Sequence, residues 1–167
     1  MSMIQHYKQV TQDKILEIDK DNSIIPQILR DDENYPQLNI DKSWDGVHYL
    51  LTGKSTVESV KEIDQSNPKE WVILGWSVWG PDVGYGPSRF VAPKEVTQLA
   101  SVLAEIKDEE LIKNFNPEKM IETEIYPDGI WEEANISLEW LMDNYHKVKD
   151  FFIDAARKGN AVLIWTD

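Results

Sequence analysis

A histidine and an aspartate stand three residues apart in the first third of the chain, at His48 and Asp45. On a helix, side chains with this spacing lie close enough to meet. A carboxylate beside an imidazole fixes the tautomer of the ring and raises its basicity, as a general base requires. The alternative is a histidine that packs against the neighbouring Trp44 and hydrogen-bonds an adjacent turn. The sequence leaves both interpretations open.

A glycine-rich loop supplies the second group of candidate residues. Residues 80–87 contain three glycines and two prolines. Glycine lets a ligand approach the backbone closely, Tyr85 can stack on a ligand or donate a hydrogen bond, and Arg89 can hold an anion through two parallel hydrogen bonds. The loop lacks the spacing of a Walker loop or a dinucleotide fingerprint. A plain structural turn, with Arg89 in a salt bridge, is the alternative.

Metal and cofactor chemistry have little support in the sequence. His6, His48 and His146 are too widely separated for the spacing of a zinc site. The chain has no cysteine, which excludes a thiolate zinc site, a thiol nucleophile and a disulfide scaffold. Four glutamates could hold a hard cation, but nothing around them resembles a calcium loop: Glu122, Glu124, Glu132 and Glu133. We therefore predict no bound metal and no cofactor.

The elements that must position these residues can be predicted from apolar spacing. Apolar residues three and four apart predict helices over residues 41–52 and 138–158, closed by Gly53 and Gly159, and a helix that begins at Pro93. Short runs rich in β-branched and aromatic residues predict strands at 3–10, 71–78, 88–91 and 161–165. The polar segment 54–69 has few apolar anchors, so we expect it to be the most mobile stretch.

This alternation of elements predicts an α/β fold, bordering on α+β, in which a mixed β-sheet is flanked by helices. The chain has 167 residues and shows no internal repeat or long linker. We therefore predict a single domain over residues 1–167. The pattern does not predict the order of the strands.

The charge balance limits the kinds of partner. The chain has 30 Asp and Glu against 17 Lys and Arg, for a formal net charge of −13. Such a surface repels phosphate backbones and anionic lipids, so we expect neither nucleic-acid nor membrane binding. The sequence begins without a signal-peptide pattern and has no apolar run of about 18 residues, so we expect a cytoplasmic protein. An acidic surface would attract a basic protein partner, unless the acidity simply maintains solubility.

Two segments resemble the YfbM-like proteins, a bacterial family known as domain of unknown function 1877. Residues 41–53 read Asp-Lys-Ser-Trp-Asp-Gly-Val-His-Tyr-Leu-Leu-Thr-Gly, and residues 84–90 read Gly-Tyr-Gly-Pro-Ser-Arg-Phe. The Ile-Tyr-Pro step at 125–127 and the closing helix–glycine–strand unit also fit the family. The resemblance implies an α/β fold with a helix-flanked mixed sheet and implies no reaction. Some members carry histidine in place of Asp45, which weakens any mechanism that needs a second imidazole.

Two functions follow from these observations. The first, which we favour, is a non-catalytic binding or interaction domain whose acidic surface takes a basic protein partner. The second is a small enzyme or ligand-binding domain, whose pocket combines the two family-like segments. That pocket would be lined by Trp44, Asp45, His48, Tyr85, Arg89 and Tyr126. It requires that His48 and Arg89 share one hollow and that His48 reaches solvent.

Overall fold

The computed structural model describes residues 2–31 and 33–167, and in this part of the chain a five-stranded sheet is surrounded by helices. The strands are β1 (Gln5–Val10), β2 (Gln37–Asn39), β3 (Ser77–Asp82), β4 (Pro87–Val91) and β5 (Ala161–Thr166). The α-helices are α1 (Gln12–Lys20), α2 (Ile25–Leu29), α3 (Trp44–Thr52), α4 (Thr56–Lys61), α5 (Pro68–Leu74), α6 (Pro93–Glu105), α7 (Asp108–Asn114), α8 (Pro117–Glu122) and α9 (Ala134–Lys158). Short 3-10 turns precede α2 and α3, at Asn22–Ile24 and Asp41–Ser43.

The sheet has the strand order β2-β1-β5-β4-β3, and each neighbouring pair is antiparallel. The predicted α/β class with flanking helices is confirmed, whereas the sheet is antiparallel and not mixed. The helical connections from β1 to β2 and from β4 to β5 each join two neighbouring strands that run in opposite directions. A pattern of helices and strands carries no signal for that direction, because a helix can connect parallel or antiparallel neighbours.

The two faces of the sheet carry separate apolar clusters. Alternate residues of a strand point to opposite faces, so Tyr7 faces one cluster and Val10 the other. The larger cluster lies between the sheet and helices α3, α5, α6 and α9, and it contains the fully buried Tyr145 and Phe152. The smaller cluster packs β1, β4 and β5 against α1 and α2. Burying each large side chain stabilises the fold by about 1.5–3 kcal/mol.

The predicted helix boundaries are confirmed where the sequence has distinctive caps. Helix α3 ends at Gly53, whose φ of +74° is left-handed, and α6 begins with Pro93. Helix α9 ends at Gly159 as predicted but begins at Ala134, four residues before the predicted start. Although α9 has 25 residues, none of the helices in residues 2–31 and 33–167 has an apolar stretch that could cross a bilayer.

The strand predicted over residues 71–78 is wrong. Its first half is helix α5, and β3 begins only at Ser77. The side chain of Asn67 accepts a hydrogen bond from the N–H of Lys69, and Pro68 is the first helical residue. Gly75, with φ of +67°, ends the helix. An apolar run of this length fits a buried helix as well as a strand, and the cap before Pro68 decides between them.

The polar segment 54–69 is held by its own hydrogen bonds, in contrast to its expected mobility. Ser55 and Glu58 form a reciprocal capping box at the start of α4. Lys54 Nζ lies 3.2 Å from a carboxylate oxygen of the fully buried Glu70. The other oxygen of Glu70 accepts from the N–H of Asp64 at 3.0 Å. Few apolar side chains are needed here, because charged and polar groups supply the anchors.

At Gly46 the backbone of α3 packs closely against side chains of the larger cluster. We therefore expect Gly46→Ala to destabilise the fold. A Cβ at this position would lie 2.6 Å from Leu141 Cδ2 and 2.8 Å from Trp131 Cη2. Overpacking costs about 1–3 kcal/mol, and the better helix propensity of alanine returns about 1 kcal/mol. Urea unfolding should show a net loss of up to about 2 kcal/mol. Ser101→Ala, on the exposed side of α6, is the control, and an equal effect of both variants would contradict the prediction.

Candidate functional site

Three of the six predicted pocket residues line one hollow of about 280 Å³: Trp44, Tyr85 and Arg89. The hollow lies on the face of the sheet that the larger cluster covers. Trp44 is the first residue of α3, Tyr85 lies in the turn between β3 and β4, and Arg89 lies on β4. The remaining walls come from β1, β5, α4 and α5. The fold therefore brings the two family-like segments together, although they are about 40 residues apart in the sequence.

Arg89 is placed by the pairing of β4 with β5. It stands opposite Ile164 in the register, so its side chain lies on the face that the larger cluster covers. Its Nε donates to the carbonyl of Leu74, the last residue of α5. The approach is close, since a Cβ on Gly75 would lie 2.9 Å from Arg89 Cβ. Glycine at 75 thus provides both the left-handed backbone and the room for the arginine.

The charge of Arg89 has no acidic partner in the part of the chain that the structure describes. Among residues 2–31 and 33–167, no carboxylate lies within 4.0 Å of its guanidinium. The side chain is half-buried, and this burial lowers its pKa. Lys8 is a useful contrast, because its fully buried ammonium donates to three backbone carbonyls. The salt bridge that the sequence suggested for Arg89 does not form with any described residue.

Trp44 is held in place as a flat wall of the hollow. Its indole Nε1 donates to the carbonyl of Met3 at 2.9 Å. Its ring stacks on Tyr126, with centroids 5.2 Å apart and an angle of 24° between the planes. The Tyr126 hydroxyl in turn accepts from the N–H of Met3 at 3.1 Å. Tyr126 therefore supports a wall of the hollow without lining it.

Asp45 is an internal anchor and does not line the hollow. It is 2% exposed, and its two carboxylate oxygens accept from the backbone N–H groups of Thr56 at 2.8 Å and Tyr126 at 2.9 Å. Burial raises the pKa of the Asp45 carboxyl, and these hydrogen bonds act in the opposite direction. The carboxylate thus ties α3 to the start of α4 and to the segment before α9. Asp45 therefore does not pair with His48, in contrast to the prediction.

His48 is sealed in the core. The side chain is fully buried, and Nε2 lies 2.8 Å from the hydroxyl of Ser59. Burial, with the charge of Lys54 as a smaller cause, lowers the pKa of His48 to about 4. A serine beside a histidine is the arrangement of an activated nucleophile, but Ser59 is 1% exposed. A substrate therefore has no access to the pair, and a general-base role for His48 is excluded by burial.

The predicted six-residue pocket therefore does not form, because it required His48 to reach solvent and His48 is fully buried. Trp44, Tyr85 and Arg89 line the hollow, Tyr126 supports it, and Asp45 and His48 lie outside it because both are enclosed by packing. Ser59 was missed in the sequence, since it falls in the segment expected to be mobile. A Ser-x-x-Glu capping box at residues 55–58 was the signal for the helix that carries it.

A second, larger hollow of about 1160 Å³ lies at the opposite face of the sheet and was not predicted. His6 Nε2 lies 2.9 Å from a carboxylate oxygen of Asp167. The imidazole stacks on Trp165, with centroids 5.0 Å apart. Asp82 also lines this hollow and accepts from backbone N–H groups in the turn that follows β3. The strand alternation that puts His6 opposite Trp165 could have indicated the stack, but only once β1 and β5 were known to pair.

No group of three or more histidine, aspartate or glutamate side chains in the described part of the chain is arranged to hold a metal ion.

The comparisons with known proteins identify a family but no activity. The solved structure of YfbM from Escherichia coli, described as a protein of unknown function, matches with a TM-score of 0.79 at 23% sequence identity. The match covers 98% of this chain and 99% of that one, which shows a shared fold. A search of curated proteins found no match. The family model named domain of unknown function DUF1877 matches residues 1–165. The chain therefore belongs to the DUF1877 family.

Proposed function

We propose that this chain is a cytoplasmic, non-catalytic binding domain whose ligand is a small anion held by Arg89 in the hollow between α3 and the β3–β4 turn. The observation that carries the proposal is the half-buried guanidinium without an acidic partner among the described residues. The sealed position of His48 and Ser59 supports a binding role over a catalytic one. A cytoplasmic location agrees with a chain that has no cysteine to oxidise.

The physical reason lies in the cost of burying a charge. A charged group taken out of water is expensive unless a counter-charge and hydrogen bonds compensate for it. The carbonyl of Leu74 satisfies one N–H of Arg89, which leaves the two terminal nitrogens able to donate in parallel. Carboxylates and phosphates match that geometry. An anionic ligand would therefore supply the compensation that the protein itself does not.

The larger hollow on the opposite face is a weaker candidate, because its charged groups are either paired or exposed to water. His6 pairs with Asp167, and Asp82 accepts from two backbone N–H groups. Arg30, also at this hollow, donates to the carbonyl of Pro26 and is exposed to water. A ligand there would compete with these bonds. The net charge of −13 still supports a basic protein partner, but charge alone does not locate a surface for it.

We expect Arg89→Met to abolish the stabilisation of the protein by a small anion. The probe is sodium benzoate at ten times its dissociation constant, with sodium chloride as the ionic-strength control. Linkage predicts a rise in Tm of about 3–6 °C for the unmodified protein, and no rise for Arg89→Met, which keeps an apolar stem but loses the charge. The measurement is thermal unfolding followed by tryptophan fluorescence.

Two further variants make this result interpretable. Arg157→Met changes the net charge equally on the exposed end of α9 and should keep the full rise in Tm. Arg89→Lys keeps the positive charge but lacks the two parallel donors, so this variant should keep part of the rise in Tm. The proposal is overturned if Arg89→Met, folded by circular dichroism, responds to benzoate as the unmodified protein does, or if benzoate and phenyl phosphate both leave the unmodified protein unchanged.

A further inference from the structure

We infer that the anion bound at Arg89 is an aromatic monocarboxylate, an inference that rests on the proposed function and adds the class of ligand. It follows from which polar groups in the hollow are still able to bond a ligand and which walls are apolar. Arg89 determines that the ligand is an anion, whereas the rest of the hollow determines what kind of anion it is.

Most polar side chains that line the hollow already have protein partners. The Gln5 amide donates to the carbonyl of Ile73 at 2.8 Å, and its oxygen accepts from the Thr166 hydroxyl at 2.8 Å. The Asp45 carboxylate accepts from the backbone N–H of Thr56 at 2.8 Å. The indole N–H of Trp44 is used by Met3. A ligand rich in hydroxyl groups would have to break these bonds, so sugars fit the hollow poorly.

Among the described residues that line the hollow, the side-chain donors able to bond a ligand include those of Arg89 and the hydroxyl of Tyr85. Two parallel N–H groups and one O–H match the two oxygens of a carboxylate. A phosphate monoester has three terminal oxygens and carries close to two negative charges at neutral pH. With one arginine and a net protein charge of −13, the second charge of a phosphate would find no compensation. The donor set therefore favours a monoanion.

The side chains that line the hollow favour a ligand with an aromatic ring. Trp44 is a flat surface fixed by its stacking on Tyr126, and Tyr85 is 45% exposed at the rim. Aliphatic side chains, among them Val60, Ile73 and Ile164, form the remaining apolar lining. Aromatic rings pack in offset or edge-to-face arrangements that add to the burial of their area. A volume of about 280 Å³ lies at the small end of ligand pockets, which suits one ring with its carboxylate.

The test compares four probes that differ in net charge and in the presence of an aromatic ring: benzoate, acetate, phenyl phosphate and benzyl alcohol. Dissociation constants are measured by titration in two-dimensional NMR at pH 7.5 and constant ionic strength. Benzoate is expected to bind at least about tenfold more tightly than each of the other three, since only benzoate combines one negative charge with a ring. The shifted amide signals should include those of residues 85, 86 and 88–90.

A tyrosine variant tests the aromatic wall separately. Tyr85→Ala is expected to weaken benzoate by about 3–10-fold more than acetate, because both ligands lose the hydroxyl donor and only benzoate loses the ring contact. Ile112→Ala is the matched control, because Ile112 is 46% exposed on α7, outside the hollow, and Tyr85 is 45% exposed. Equal benzoate affinity for Tyr85→Ala and Ile112→Ala would overturn the aromatic assignment.

The outcomes separate the two proposals. If acetate or phenyl phosphate binds in an Arg89-dependent way with less than a tenfold disadvantage to benzoate, the proposed function stands and the aromatic monocarboxylate is wrong. If none of the anions binds, or benzyl alcohol binds as tightly as benzoate, both are wrong.

Discussion

Replacing Asp45 with asparagine is expected to lower the free energy of unfolding by about 2–4 kcal/mol. Both oxygens of this buried carboxylate accept backbone N–H groups, from Thr56 and from Tyr126. Asparagine offers one oxygen and one NH2 group, so one N–H would face another donor and lose its partner inside the protein. An unsatisfied buried donor costs about 1–3 kcal/mol, and hydrogen bonds to a charged acceptor are stronger than neutral ones.

The measurement is urea unfolding of Asp45→Asn beside Asp143→Asn. Asp143 is exposed on α9, so its variant makes the same change in net charge without removing a buried acceptor. Burial raises the pKa of Asp45, so the substitution also relieves the cost of a buried charge, and the expected loss already allows for this. Equal unfolding midpoints for the two variants would show that the carboxylate is not a structural anchor.

Asp45 also affects the hollow, through the residues that it holds. Its bond to the N–H of Tyr126 fixes the backbone of the residue whose ring stacks on Trp44. Its bond to Thr56 fixes the start of α4, which contributes a wall of the hollow. The residue that the sequence suggested as a catalytic partner thus acts instead by positioning the walls of the hollow.

The elements that could be predicted from the sequence are those with local signals. Pro93, Gly53 and Gly159 mark helix ends by backbone geometry that depends on one or two residues, so these boundaries were correct. The residues of α5 have no comparable signal inside the helix, since Trp71 to Leu74 are all buried and apolar. The direction of the strands depends on contacts between the two ends of the chain, which no local pattern contains.

The distinction between local signals and tertiary contacts also explains which site residues could be predicted from the sequence. Tyr85 and Arg89 could be proposed as ligand contacts from their types, because a glycine-rich turn places side chains at a sheet edge whatever surrounds them. The pairing of Asp45 with His48 could not be judged from spacing alone. Helix α4 brings a backbone N–H to Asp45 and the Ser59 hydroxyl to His48, and these tertiary partners replace the contact that the helix permits.

His48 is expected to make the protein lose stability in mild acid. In the unfolded chain the imidazole takes a proton near its ordinary pKa of 6.5, whereas in the folded protein burial lowers its pKa to about 4. Between these values only the unfolded state gains the proton, so stability falls as the pH falls. Each pH unit in that interval costs about 1.4 kcal/mol, and the whole interval costs about 3 kcal/mol.

The experiment compares the unmodified protein with His48→Gln, because glutamine can still bond Ser59 but does not titrate. Free energies of unfolding in urea are measured at pH 7 and pH 4.5. The loss on acidification should be about 2–3 kcal/mol smaller in His48→Gln, whatever the carboxylates contribute, since both proteins share them. His146→Gln removes a half-exposed histidine that contacts Asp108, and it serves as the control for losing an imidazole outside the core. An identical loss in His48→Gln and the unmodified protein would mean that His48 accepts a proton in the folded state, and therefore that water reaches a ring that the fold encloses.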